Sequence, residues 1–305
     1  MSADDADLPA FARSRYFPWI AGAPFVAWPL FSLSRGEVRW EMIAVMFLVP
    51  YLAWKRRRLF TGLLPVGLVA FLYDAMRFVK NVGLTPERVH VCDLRGAEMA
   101  LFGVSLGGGR EGTVHDLVQA HANLFLDVLC AVPYGTYIYT ILAAAIFLYR
   151  KDFNRLQRFT WTFLLLNLAG FVTYHVFPAA PPWYFHAHGC VVDLAARPSA
   201  GPNLARVDAF LGFRYFYGFY GRSNDIFGAV PSLHVAYPTL LALETWPYLN
   251  RPMRVVALAY AALMYFAAVY LDHHWIIDVL VGLTYTAALL TLVRRFFRPP
   301  APATP

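Results

Sequence analysis

The sequence predicts an all-α, polytopic membrane helix bundle of about eight spans, and three observations predict it. The 305 residues are 59% hydrophobic and only 15% charged, where soluble domains run nearer ~45–50% apolar and ~25% charged. Apolar stretches of roughly 17 to 22 residues recur along the chain, the length that crosses a hydrocarbon layer. The basic residues crowd into short connections between alternate apolar stretches, which is topology and not nucleic-acid binding: "WKRRR" (Lys55 to Arg58), "YRKDFNRLQR" (Arg150 to Arg158), "NRPMR" (Arg251, Arg254) and "RRFFRPP" (Arg294 to Arg298).

In chain order the spans fall at about 17–33, 39–54, 59–79, 130–149, 159–178, 230–247, 253–271 and 274–293. Proline or glycine interrupts the first two, separated only by "SLSRGEVR". "MSADDADLPAFARSRYF" ahead of them is mixed in charge and lacks the pattern of a cleavable signal. The chain divides into a tail with two accessory spans (1–58), a main membrane domain (59–298) and a disordered tail (299–305). The positive-inside rule puts the basic connections and both termini in the cytoplasm. The long loops 80–129 and 179–229 then lie on the far side, where Cys92 and Cys190 could pair or stay free thiols. Cys130, at a span start, reads as a small apolar residue.

Ionisable groups in or beside spans are costly and mark function. Here they are Asp74, Arg77, Lys80, Asp127, His175, His234, Glu244, His273, His274 and Asp278, and most fall at the far-side face. In "VYLDHHWIIDVLVG" His274 and Asp278 stand four apart, on one helix face, so the carboxylate can fix one imidazole tautomer. In "FGAVPSLHVAYPTL" Pro231 suits a first helical turn, leaving the amides of Ser232 to His234 free to bind phosphate. Two histidines at two helix starts on one face suit phosphoryl transfer through a phosphohistidine, one attacking and the other protonating the leaving alcohol. That chemistry demands no metal and no cofactor. A zinc site finds no HExxH and no paired Cys-x-x-Cys.

"PSLH" with "H-x-x-x-D" resembles the second and third signatures of the type 2 phosphatidic acid phosphatase superfamily. "GAVPSLHVAYPTL", "YLDHHWIIDVLVG", "FPAAPPWYF" and "YDAMRF…VHVCDLRGAEMALFG" are most similar to inositol phosphorylceramide synthases and their bacterial branch, over about residues 70 to 285. The resemblance implies a six-helix phosphatase-like core, with His274 as nucleophile, Asp278 as its orienting partner and His234 as general acid and then base. Ser232 and nearby amides would hold phosphate. The arginine of the phosphatases' third signature is replaced by Ala268, which favours a transferase; Arg77 and Lys80, with Arg222 as a third option, stand in for it. Pro181, Pro182 and Trp183 would shape the acceptor pocket; in "LDVLCAVPYG" Asp127 and Tyr134 either touch a polar headgroup or cap and anchor the fourth span. His175 is expected to be structural and His273 supporting, while Glu244 has no assigned role. The implied substrates are a phospholipid donor, phosphatidylinositol, and a lipid acceptor, ceramide, in a bilayer. Two rivals stay open: a lipid phosphatase using water, and a non-catalytic lipid-binding or transport protein.

Overall fold

A computed structural model describes residues 8, 10–36, 40–221 and 225–297. Arg222 and the C-terminal tail 299–305 lie outside the described residues. Every predicted span folds as a helix: α1 (Phe17–Ser34), α2 (Trp40–Lys55), α3 (Arg57–Val79), α6 (Leu124–Lys151), α7 (Phe153–Val176), α11 (Leu233–Thr245), α12 (Arg251–Tyr270) and α13 (Ile276–Phe296). Five of them, α3, α6, α7, α12 and α13, are long and apolar enough to cross a membrane. The other three depart from the expectation. α2 has 16 residues, α11 has 13 and not the 18 drawn over 230–247, and α1, at 18 residues, is lower in mean hydropathy than those five. At 1.5 Å per residue α11 reaches only ~20 Å, short of a hydrocarbon layer of ~30 Å.

Local chemistry sets the helix starts. Asn123, Asp152 and Asn250 each accept an amide of the following first turn, from Leu126, Arg155 and Met253, satisfying donors that a helix cannot satisfy itself. Asp152 alone separates α6 from α7, so the two must run back to back. α11 is the hub, packed against α6, α7, α12 and α13, while α1 and α2 pack on α3. Leu156, Phe159, Leu166, Leu233, Ala236 and Leu240 form the centre of the main core. Large apolar side chains such as Trp19, Phe47, Phe125, Val255 and Leu280 face outward, as lipid-facing surfaces require.

The two long loops are folded, which the apolar pattern did not reveal. They hold α4 (Cys92–Phe102), a hairpin of β1 (Val104–Gly107) with β2 (Arg110–Gly112), α5 (Val114–Ala120), α8 (Pro182–His188), α9 (Gly201–Leu211) and α10 (Tyr215–Tyr220). A Cys92–Cys190 disulfide ties the start of α4 to the segment after α8, with Cα atoms 5.4 Å apart. Three extended segments meet at this end of the bundle. His90 and Ala179 are bridged, as are Ala179 and Gly228, and the amide of Ala229 donates to the Ala179 carbonyl at 3.1 Å. That ladder delivers Ala229 to the site described next.

Candidate active site

α12 ends at Tyr270, and the chain turns through Leu271–Trp275 into α13. Asp272 takes φ 67°, a left-handed conformation that lets the chain reverse within a few residues. The His274 amide donates to the Ala268 carbonyl at 3.0 Å, holding His274 against the end of α12. Across from it, Ser232 caps α11, and its amide donates to the Asp278 carbonyl at 3.0 Å. α13 comes this close because residue 282 is glycine: a Cβ there would collide with the Ser232 carbonyl and meet Val235 Cγ2 at 3.0 Å. The first turns of α11 and α13 are thereby fixed to each other, each with a histidine beside it.

The two histidines touch: His234 Nδ1 lies 3.0 Å from His274 Nε2. His274 Nδ1 is 2.9 Å from the Ala229 carbonyl and 3.6 Å from Asp278 Oδ2. A carbonyl only accepts, so His274 carries its proton on Nδ1 and offers a lone pair on Nε2. His234 then donates from Nδ1, and its Nε2 accepts from the Tyr220 hydroxyl at 3.3 Å. Tyr134 stacks on the His234 ring, centroids 4.5 Å apart and planes 12° off parallel. His273 Nε2 donates to the Ala200 carbonyl at 2.9 Å. Burial pushes His274 and His273 down to about 4, each partly offset by its carbonyl partner, so both are neutral imidazoles at neutral pH.

Both histidines of the pair open onto one cavity of about 190 Å³, whose wall includes His273, Trp183, Tyr237 and Asp225. Burial raises the Asp225 carboxyl to about 6, with the Phe227 amide, Lys80 and His175 opposing the rise.

The sequence-predicted residues divide. His234, His274 and Asp278 come together, and Pro181 and Trp183 line the cavity. Pro182 is buried in the first turn of α8, and Tyr134 reaches the site through its stack on His234. Asp278 sits differently from its expected place: its Oδ2 accepts the Trp275 amide at 2.8 Å, and the Ala229 carbonyl is the nearer partner of His274. Pro231 precedes the cap and is not in the first turn, and the Ser232 amide is taken up by Asp278. Ser232 Oγ is buried without a hydrogen-bond partner among the described residues. Arg77 is directed away from the cavity, donating to Ser32 Oγ at 3.2 Å and pairing with Asp74 at 3.3 Å. Lys80 caps the end of α3 off the cavity wall. Asp127 is also off it, fully buried, with its carboxylate taken up by Arg206 (2.7 and 3.0 Å), Tyr270 (2.9 Å) and Asn203 (3.1 Å). Glu244 lies at the opposite end of α11 from His234, clasped by Arg158 at 2.6 Å and Arg294 at 3.0 Å.

Sequence reasoning missed Ala229, Tyr220 and Asp225. Only Asp225 carried a signal, an acidic residue two positions before "FGAVPSLH".

The sequence profile of the PAP2 superfamily matches residues 98–292. The chain is 32% identical over 248 residues to the phosphoinositol dihydroceramide synthase of Bacteroides thetaiotaomicron, covering 80% of this chain and 79% of that protein. It is 29% identical to the inositol phosphorylceramide synthase catalytic subunit of Saccharomyces cerevisiae, covering 79% of this chain and 57% of that one. The Schizosaccharomyces pombe catalytic subunit is also 29% identical, and the match covers 54% of it, so the chain spans little more than half of these fungal relatives. No solved structure matches the chain.

Proposed function

The chain belongs to the PAP2 superfamily, and we propose that it is a membrane lipid phosphotransferase that moves a phosphoinositol-type headgroup from a glycerophospholipid to the hydroxyl of a ceramide-type lipid. The observation that carries this reading is the His234–His274 pair, 3.0 Å apart on the wall of one cavity. The named activities of the bacterial and fungal relatives support the substrate class.

In this mechanism the donor's phosphodiester enters between the rings and takes the place of their hydrogen bond. His234 enters this step as an imidazolium, having taken a proton on binding the anionic donor. The His274 Nε2 lone pair attacks phosphorus, the bond to the diacylglycerol oxygen breaks, and that oxygen takes the Nδ1 proton of His234, which is left neutral. The Ala229 carbonyl holds the Nδ1 proton of His274 throughout, and Asp278 steadies the imidazolium character that develops. The acceptor hydroxyl then gives its proton to His234 and attacks phosphorus, breaking the P–N bond and restoring His274. First-turn amides of α11 from Leu233 onward meet the phosphoryl oxygens. Trp183 and the tyrosines of the wall keep water out, which favours transfer over hydrolysis. Asp225 accepts hydrogen bonds from headgroup hydroxyls. The basic short connections support cytoplasmic termini, and the disulfide supports a cavity facing an oxidising, exoplasmic compartment.

The test uses purified protein in detergent with headgroup-labelled phosphatidylinositol, with and without ceramide, beside His274→Ala and His234→Ala. Ceramide-dependent transfer that is lost in both variants is expected. Water-soluble phosphoinositol released without ceramide would make the protein a hydrolase, and turnover surviving in His274→Ala would remove the phosphohistidine.

A further inference from the structure

Outside the cavity, five ionisable groups run in a row from the surface inward, and the mechanism above does not use them. His186, on α8, has Nδ1 2.5 Å from Asp272 Oδ2 and Nε2 3.1 Å from Asp116 Oδ1. Asp272 Oδ1 faces His115 Nδ1 at 3.4 Å, and His115 Nε2 lies 3.8 Å from Glu98 Oε1. Glu98 closes the chain by accepting the first amides of α13, from Ile276 at 2.9 Å and Ile277 at 3.2 Å. Glu98, His115 and Asp272 are all fully or almost fully buried. The chain thus grips both ends of the short segment that holds His273 and His274. Asp272 precedes it in the left-handed conformation, and the amides that Glu98 receives follow it.

We propose that His186 is a positioning residue, a proton-dependent latch that holds the His273–His274 loop through Asp272. Both ring nitrogens of His186 face carboxylate oxygens. A carboxylate only accepts, so both must be N–H and the ring must be an imidazolium. Charge balance agrees: Asp116, Asp272 and Glu98 bring three negative groups, and Arg95, paired with Asp116 at 3.1 Å, brings the one permanent cation. Arg95 also covers the Phe185 ring at 4.3 Å, so α4, α5, α8 and the Asp272 loop all contribute charge to the cluster. The Asp272 bond raises His186 above its ordinary value, with burial opposing and Asp116 adding to the rise. Burial would raise Asp116, but the Thr113 amide and hydroxyl and His186 hold it down to about 2. Loss of the proton would aim a lone pair at one of the two carboxylates and weaken the side-chain hold of α8 on Asp272, leaving the Trp183 amide on the Asp272 carbonyl at 2.9 Å. His186 is partly exposed, so the outer solution reaches it, whereas Asp272 is sealed.

The sign follows from the raised value. The latch is fully closed below the ordinary histidine range and opens as pH rises through the folded-state value above it. Backbone amide exchange across Leu271–Trp275, corrected for intrinsic pH dependence, should accelerate severalfold as pH rises above the ordinary histidine range in the wild type. In His186→Gln it should already be fast and flat with pH. Asp116→Asn removes one of the two negative charges that hold the proton on His186 and should move the opening to lower pH, which keeps the test available if the first variant folds poorly. Equal, pH-independent protection in wild type and variants would overturn the latch. The effect on rate rests on the transfer reading: the wild-type kcat should fall as the latch opens at alkaline pH, and His186→Gln should lower kcat severalfold with donor KM unchanged and abolish that pH dependence. The exchange measurement uses no lipid, so it decides the latch even if no donor is turned over.

Discussion

His274 donates its Nδ1 proton to the backbone carbonyl of Ala229 at 2.9 Å, while the Asp278 carboxylate stands farther away at 3.6 Å. A backbone carbonyl cannot be protonated or rotated away, so it fixes the tautomer more firmly than a side chain would. The ladder of Ala229 on Ala179 and of Ala179 on Phe227 holds that carbonyl in place.

This geometry predicts a mild Asp278 variant. Where an aspartate alone sets the tautomer, as in a Ser-His-Asp triad, its change to Asn costs about 10⁴-fold in kcat. With Ala229 in charge of the tautomer, Asp278→Asn should cost only about 10–100-fold, the usual effect of a supporting partner. Initial rates of labelled headgroup transfer, compared with His274→Ala, check it. A loss equal to that of His274→Ala would return the tautomer to Asp278.

The pH dependence of the first chemical step follows from burial of the nucleophile. His274 is depressed to about 4 and stays neutral far below the ordinary histidine value. Single-turnover transfer should therefore have its acid limb near 4, and a limb centred near ~6.5 would contradict the assignment. Stability should respond in the same window. Between the ordinary value and about 4 the unfolded chain binds a proton that folded His274 refuses, so stability falls as pH drops through that range. His273, also near 4, adds to the slope.

What the sequence made legible was whatever side-chain pattern encodes. Long apolar runs located the helices, because burying backbone polar groups in lipid leaves the helix as the solution. The two histidines stood out because ionisable groups are scarce in such a chain. Ala229 was invisible because its contribution is a backbone oxygen, positioned by strand-like pairing with segments near residues 90 and 179. Arg77 and Asp127 show a second limit. Their depth along a helix was readable, but not the direction they face: Arg77 turns to Ser32 of α1, and Asp127 to Arg206 of α9. Cys92 and Cys190 are separated by 98 positions, a distance over which no local pattern speaks. The short helices of the two long loops escaped for a related reason, since partners far along the chain hold them in place.

Gly282 tests whether helix approach sets the histidine distance. An added Cβ collides with the Ser232 carbonyl, which is backbone and cannot swing aside. Gly282→Ala should push α11 from α13, costing about 1–3 kcal/mol as overpacking does. His234 stands in the first turn of α11 and His274 just ahead of α13, so transfer should fall further than stability alone explains. A thermal midpoint and a rate measured on the same sample separate the two effects. Full activity in a destabilised variant would mean that the pair tolerates the displacement.

Asp127 was expected in the substrate pocket, and its contacts make a contrary prediction. The carboxylate is fully buried and joins α6 to α9 through Arg206 and Asn203, and to α12 through Tyr270. Asp127→Asn keeps the shape but weakens charge-assisted bonds, which are worth about 1.5–3 kcal/mol each in such settings. Arg206 is 43% exposed at its side chain and can turn to water, so the loss should stay at the low end of that range. The thermal midpoint should drop while donor KM and headgroup preference stay as in the wild type. A headgroup-binding role would do the reverse, raising KM at nearly unchanged stability. The pair of measurements, melting and donor titration on Asp127→Asn beside Asp225→Asn, separates the anchor from the cavity wall: Asp225→Asn should raise donor KM several-fold with the smaller change in melting.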